Sequence, residues 1–373
     1  MKSVAAVLCG PRDIRVEEFD LPDVHDDDGV LRVEACGVCG SDARPFKTGH
    51  ATEEGGPTGP VILGHEIVGR VERLGRNARR RWGLDEGDRI VLERQIPCGR
   101  CWFCRSGDYR LCQRVAEPDP HLRYGSTTTH YSPGLWGGYA THLYLHPDAV
   151  VYRAPESVVA SELTMFMPLA NAVSWIETTG RLPLGGTVLI LGPGQQGLAA
   201  AMVARAIGAA HVVVTGLASD AQRLKIAEQV GATGTIVVEG KSRDEITSEF
   251  LGLTGGGRAD VVLDTAATAS TEPVSLACDL AGHGGRVIIA ARHSTDDGRG
   301  VDWLDKIWRK GLKVQTVRGR APGSAARSLD LIGSGQMSLD SFSKRACDLE
   351  TVGAALNDVV DRQTLEVHTV VIP

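Results

Sequence analysis

The chain is 373 residues long, 42% hydrophobic and 23% charged, with a formal net charge of −6. That length is too great for one comfortable hydrophobic core and fits two domains of ordinary size. The acidic balance argues against nucleic acid as a partner, since the densest basic cluster is only Arg76, Arg79, Arg80 and Arg81. There is no apolar run of about 18 residues and no charged leader ahead of a long apolar core, so the expectation is no membrane partner and a cytoplasmic location.

Residues 1–95 read as short strands, at 4–8, 14–18, 29–35, 67–74 and 88–93, broken by Gly, Pro and Asp clusters, which suggests a closed or partly closed barrel. Within it stand Cys36, Cys39, Ser41 and Asp42 in ACGVCGSDAR, then Gly64, His65 and Glu66 in VILGHEIVG. Cys39, His65 and Glu66 offer a thiolate, an imidazole and a carboxylate. Such mixed donors leave zinc an open, Lewis-acidic position, with Cys36 a small buried residue behind them. Adjacent His and Glu can face one metal only where the backbone is irregular, and Gly64 permits that. Spacing alone leaves a second reading open, two unrelated core residues.

The run CGRCWFCRSGDYRLC places Cys98, Cys101 and Cys104 at intervals of three and Cys112 eight residues on. Four thiolates so spaced suit a closed tetrahedral zinc site that pins a lobe poor in apolar residues. An iron–sulfur cluster and scattered free thiols are the alternatives. Residues 117–133 are polar and irregular. Strand character returns at 137–145 and 149–153, and a helix is expected from about 158 to 175 with Leu163, Met167 and Ala170 inward.

An apolar, β-branched run at 187–191 leads into Gly192, Gly194 and Gly197, which form GxGxxG, and then into an Ala-rich helix. Strand, glycine turn and helix together hold a dinucleotide, its phosphates resting on the unpaired N–H groups around Gly194, Gln195, Gln196 and Gly197. Strands at 211–215, 235–238, 259–264 and 285–290 alternate with helices at 221–230, 243–251 and 272–280. This rhythm predicts a parallel sheet covered on both faces. Residues 313–317 read as an isolated strand. With helices at 325–332 and 351–361 and a strand at 365–372, they are expected to return to the first domain. The expected fold class is α/β: a β-rich domain from residues 1–157 and 313–373, carrying the cysteine lobe at 95–115, with a dinucleotide domain at 158–312 inserted.

Cys39-Gly40-Ser41-Asp42, Gly64-His65-Glu66, the four cysteines, Gly137-Gly138-Tyr139-Ala140 and the fingerprint at 192–197 occur in the order and separations of zinc-containing medium-chain alcohol and polyol dehydrogenases. Essentially the entire chain resembles that family. The resemblance implies a GroES-like catalytic domain, a Rossmann domain, a cleft holding zinc and nicotinamide, and a homodimer or homotetramer. By this likeness Cys39 and His65 are catalytic zinc ligands and Glu66 is a ligand or an exchangeable one. Cys98, Cys101, Cys104 and Cys112 hold structural zinc, and Ser41 passes the alcohol proton outward. The implied reaction moves hydride between NAD or NADP and a secondary alcohol or polyol and its ketone. A zinc-free quinone or enoyl reductase and a non-catalytic dinucleotide-binding protein are the alternatives on the same architecture.

Three positions depart from the family pattern. Met167 stands before Pro168-Leu169-Ala170, where relatives carry Glu or Cys, and a thioether is a poor zinc ligand. Arg44 falls where relatives place the His that ends the proton relay. It cannot give up its proton, although its guanidinium fork could hold a carboxylate or phosphate or simply face water, and His50 is another possible end of a relay. Gly216 stands where NAD-preferring relatives end the second strand with Asp or Glu, with Asp220 and Arg223 following. Loss of that carboxylate removes repulsion against a 2′-phosphate, and Arg223 could meet one, so the sequence leans slightly to NADP. Phe46, Tyr124, Trp136, Met167 and Trp308 are the side chains available for a substrate pocket or, equally, for the core.

Overall fold

The computed structural model describes residues 2–373 except 50–58, 114–121, 267, 269, 294–302, 318, 343 and 362–365, so His50 lies outside the described residues. The chain divides into two compact units, one of residues 1–167 and 343–373 and the other of residues 168–342.

In the first unit β1 (Lys2–Gly10) pairs antiparallel with β2 (Asp13–Asp20). β3 (Gly29–Val38) is followed by α1 (Ala43–Thr48), and the short β4 (Val61–Ile62) joins β1. Next come β5 (Glu66–Leu74), α2 (Arg76–Trp82), β6 (Arg89–Leu92), α3 (Trp102–Arg105), β7 (His142–Leu145) and β8 (Val151–Arg153). β3 is almost wholly buried because it pairs on one side with β5, setting Gly37 opposite Glu66 and Cys36 opposite Ile67, and at its other end with β7. Leu31, Ile67, Ile90, Leu143, Tyr124, Trp136 and Tyr139 fill the core beneath. Each large apolar side chain fully buried there contributes roughly 1.5–3 kcal/mol.

The expected helix at 158–175 is broken into α4 (Ala160–Leu163), α5 (Phe166–Ala172) and α6 (Val173–Thr179), the last wound as a π-helix. Leu163, Met167 and Ala170 are all buried, as the periodicity requires. The second unit then runs β9 (Thr187–Leu191), α7 (Gln195–Ala206), β10 (His211–Gly216), α8 (Ala221–Gln229), β11 (Gly234–Val237) and α9 (Arg243–Leu253). It continues through β12 (Ala259–Asp264), α10 (Glu272–Leu280), β13 (Ala281–Ile289), α11 (Trp303–Lys310), β14 (Lys313–Thr316) and α12 (Ser324–Gly333). Its six strands form a parallel sheet in the order β11-β10-β9-β12-β13-β14.

The boundary expected at residue 313 is therefore corrected. Residues 313–316 are not an isolated strand returning to the first unit but the sixth strand of the parallel sheet, paired with β13. As an edge strand whose side chains are mostly exposed, it lacks the apolar run by which its buried neighbours are recognised. α12 belongs to the second unit as well, and the chain returns only after residue 342. There β15 (Lys344–Cys347), α13 (Val352–Val360) and β16 (His368–Val371) complete the first unit, β16 lying antiparallel to β3 with Val371 opposite Cys36.

At the carboxyl end of β12, Asp264 is fully buried and its Oδ2 lies 2.5 Å from His293 Nε2. The hydrogen bond to Asp264 raises the His293 pKa above its ordinary value and burial opposes it; the Asp264 charge and the carbonyls of Ser270 and Thr268 add to the rise. A raised histidine pKa stabilises the fold fully below the unfolded value near 6.5, and that share is lost as pH climbs through the folded value. His293→Asn is thus expected to lower the melting temperature markedly at pH 6 and much less at pH 9. Thermal melts of both proteins across that range check it, and an equal deficit at both ends would refute the pair's protonation.

Candidate metal and dinucleotide sites

Cys39 follows directly on β3, and His65 immediately precedes β5, so two paired strands carry the donors to one place. Gly64 between them has φ +88°. A Cβ there would lie 2.5 Å from the Tyr139 ring and 2.8 Å from Cys36 Sγ, so the bend that presents both His65 and Glu66 needs glycine for space as well as for conformation. Ligand atoms of Cys39, His65 and Glu66 all lie within 4.8 Å of one another. Burial, followed by the nearby Glu66 and Asp42 charges, pushes the Cys39 thiol up to about 12. A thiol and carboxylates buried this closely are the chemistry that a divalent cation resolves, so the donor set fits zinc.

Asp42, only 2% exposed, stands behind this cluster. Its Oδ1 is 3.2 Å from His65 Nδ1, and its Oδ2 accepts from the Cys39 N–H at 3.1 Å and the Tyr139 hydroxyl at 3.0 Å. Burial raises the Asp42 carboxyl, but the His65 charge and hydrogen bond, the Arg94 charge and the Tyr139 hydrogen bond outweigh it and hold it below its usual range. A carboxylate can only accept, so a neutral His65, the form that ligates a metal, is favoured with its proton on Nδ1 facing Asp42 and its Nε2 lone pair on the side of Ser41, whose Oγ is 3.4 Å away. Asp42 was read from the sequence only as part of a motif. Its position three residues after Cys39, where its carboxylate can close a turn onto the Cys39 N–H, was the available signal.

Cys98, Cys101, Cys104 and Cys112 form the second cluster, and none of the nine cysteines is in a disulfide. Cys98 and Cys104 sulfurs are 3.9 Å apart, Cys101 and Cys104 3.5 Å, and Cys101 and Cys112 3.9 Å. Zinc–sulfur bonds of about 2.3 Å in a tetrahedron place sulfurs roughly 3.8 Å apart, close to these three separations, and all four sulfurs lie within 4.8 Å of one another, so the cluster suits the ion. Backbone N–H groups of Gln113 and Cys104 lower the Cys101 thiol to about 6, toward the thiolate a metal needs. α3 buries no side chain and Trp102 is 72% exposed, so this lobe has little apolar interior of its own.

In the second unit β9 ends at Leu191 and the chain turns through Gly192, φ +99°, into α7. A Cβ on Gly197 would fall 2.0 Å from the Gly192 carbonyl oxygen, whereas one on Gly194 would meet nothing within 4 Å. The turn is thus tightly packed beneath and open above. It lies where the sheet order reverses between β10 and β12, so the cradle fits a dinucleotide pyrophosphate. Gln196 accepts from Asn171 Nδ2 at 3.2 Å, and Asn171 accepts from the buried Arg320 at 2.9 Å, two supporting residues that no sequence motif signalled.

Residues 25–156 match the alcohol dehydrogenase GroES-like domain and residues 197–334 the zinc-binding dehydrogenase family. The chain is 37% identical over 347 residues to a probable alcohol dehydrogenase of Mycobacterium tuberculosis, covering 93% of this chain and 91% of that protein. This chain belongs to the zinc-binding alcohol dehydrogenase family. The dehydrogenase is also 33% identical over 282 residues to an erythritol/L-threitol dehydrogenase of Mycolicibacterium smegmatis, covering 74% of this chain and 73% of that one. A Sinorhizobium meliloti protein described as a zinc-binding dehydrogenase, solved with NADP bound, is 26% identical with a TM-score of 0.83 over 100% of both chains. The protein is accordingly a zinc-dependent, NAD(P)-linked oxidoreductase of an alcohol or polyol and its ketone, with two candidate zinc-binding sites per subunit. Among the described residues no helix is long and apolar enough to cross a membrane.

Several residues of the dehydrogenase fall elsewhere than a pocket reading suggests. Tyr124 and Trp136 are core: the Tyr124 hydroxyl donates to the Tyr144 carbonyl at 3.0 Å, and Trp136 Nε1 donates to the Tyr131 carbonyl at 2.8 Å. Phe46 is buried on α1, and Trp308 is 82% exposed on α11. Arg44 is exposed on α1, and Arg223 is half-buried on α8.

Proposed function

We propose that Cys39, His65 and Glu66 hold the catalytic zinc of an enzyme that oxidises a secondary alcohol or polyol reversibly, while Cys98, Cys101, Cys104 and Cys112 hold a structural zinc. The observation that carries this reading is the convergence of sulfur, nitrogen and oxygen donors within 4.8 Å, with Asp42 orienting His65 from behind. Bound there, zinc would supply Lewis acidity toward the substrate oxygen, and a nicotinamide would supply the acceptor or donor of hydride. Ser41 carries the proton from the alcohol outward, its Oγ sitting beside the metal-facing edge of His65. Glu66 serves as a ligand or an exchangeable one. Met167, a buried thioether, adds no hard donor, so three protein ligands leave room for the substrate.

Arg44, exposed on α1, carries a guanidinium fork suited to gripping a carboxylate or phosphate on the substrate. Gly192, Gly194, Gln195, Gln196 and Gly197 cradle the pyrophosphate, and the turn around Gly216 and Arg223 faces the adenosine ribose. A cytoplasmic homodimer or homotetramer is part of the same reading, supported by the exposed edge strand β14.

Protein purified without chelator should contain two zincs per subunit and oxidise secondary alcohols or polyols with a nicotinamide dinucleotide. Ser41→Ala should keep both zincs yet lose kcat by roughly 10²–10⁴-fold, the usual scale of general acid–base assistance. Metal analysis with steady-state kinetics decides it, and full activity in that variant would remove Ser41 from the proton path.

A further inference from the structure

We propose that Glu239 reads the adenosine ribose of the dinucleotide and makes this dehydrogenase prefer NAD to NADP, an inference that rests on the dinucleotide reading of the second unit. In a Rossmann sheet the carboxylate that accepts from the ribose hydroxyls ordinarily stands at the end of the second strand. Here that strand, β10, ends in Gly216. A Cβ at Gly216 would lie 3.1 Å from Pro193 Cγ, 3.2 Å from Asp220 Cβ and 3.2 Å from Leu224 Cδ2, so the position is too crowded to receive the usual acidic side chain without displacement of its neighbours.

The neighbouring strand supplies the carboxylate instead. Gly216 pairs with Val237 at the end of β11, and Glu239 follows two residues later. Its Oε2 accepts from the Ala218 N–H at 3.0 Å, in the turn that leaves β10. Asp220 Oδ2 takes the preceding amide, that of Leu217, at 3.0 Å. The two backbone donors on which a 2′-phosphate could rest are therefore already engaged by carboxylates.

The two arrangements differ in charge and in hydrogen-bond sense. Ribose hydroxyls can donate to Glu239, whereas a 2′-phosphate brings further negative charge and acceptors only, and would have to displace a carboxylate from the turn. Lys241 is paired with Glu249 and Arg223 is the cation nearest in sequence, one guanidinium against two carboxylates. The missing carboxylate at 216, which by itself argues for NADP, is thus replaced from another element.

Equilibrium binding of NADH and NADPH to the purified zinc-loaded protein, followed by nicotinamide fluorescence, tests the inference without turnover. The native protein should bind NADH at least about tenfold more tightly than NADPH, and Glu239→Gln should narrow that ratio severalfold while zinc content and melting temperature stay unchanged. A native preference for NADPH, or an unaltered ratio in Glu239→Gln, would overturn the role of Glu239 and leave the dinucleotide reading standing. If Arg223→Ala abolished such an NADPH preference, Arg223 would be the phosphate anchor. Binding of neither nucleotide would overturn the dinucleotide reading and this inference together.

Discussion

Cys39→Ala should reduce the zinc content from two per subunit to one and remove nearly all alcohol oxidation. The cause is local. Cys39 is the sulfur member of the three-donor cluster, and without it His65 and Glu66 alone must hold the ion. Loss of an outer-shell partner costs roughly 10- to 100-fold in metal affinity or activity, so loss of a direct ligand should exceed that. NADH affinity should remain near native, because the glycine turn belongs to the other compact unit. Metal analysis, kcat and nucleotide binding on the same preparation separate these effects. A single zinc in the native protein, with turnover undiminished by Cys39→Ala, would defeat the zinc–alcohol mechanism and favour a zinc-free reductase; two retained zincs with full turnover would remove Cys39 from the ligand set.

Cys101→Ser should act on stability instead. The lobe around α3 buries almost nothing, so the four sulfurs and their ion replace an apolar core there. Loss of a structural metal belongs among the exceptional single changes, at about 4 kcal/mol or more. At roughly 2–4 °C per kcal/mol for a unit of this size, the melting midpoint should fall by about 10 °C or more, with soluble yield falling alongside. Protein that survives folded should retain most of its chemistry, since the Cys39 cluster is built by other strands. A midpoint unchanged on substitution, or two disulfides among these cysteines in reducing buffer, would overturn the structural zinc.

The parts legible in the sequence are those whose chemistry repeats locally. GxGxxG after the buried run of β9, and four cysteines within one short segment, identify themselves because adjacent residues cooperate. Cys39, His65 and Glu66 were legible as residue types, while their meeting depends on β3 pairing with β5 and on the bend at Gly64. What stayed hidden depends on distant partners. β14 joins the sheet as an edge, and an edge strand need not be apolar. The carboxylate at the turn after β10 comes from Glu239, across a parallel strand pair, so the end of β10 read alone inverts the cofactor preference proposed here. Tyr124 and Trp136 could not be assigned to pocket or core by composition; their internal hydrogen bonds decide for the core.

The late pairing of β16 with β3 carries a consequence for biosynthesis. β3 leaves the ribosome before the dinucleotide unit is made and β16 after it. Until β16 emerges, Cys36 and Gly37 are paired with β5 on one side only, and Val38, which leads straight into Cys39, lacks its strand partner Thr369. Order of translation thus becomes order of maturation, and nucleotide binding is attainable before the metal-bearing sheet is complete. A chain terminated between residues 343 and 367 would carry a finished dinucleotide sheet and, in its other unit, an open, apolar strand edge leading to Cys39, a product for proteases and chaperones to clear.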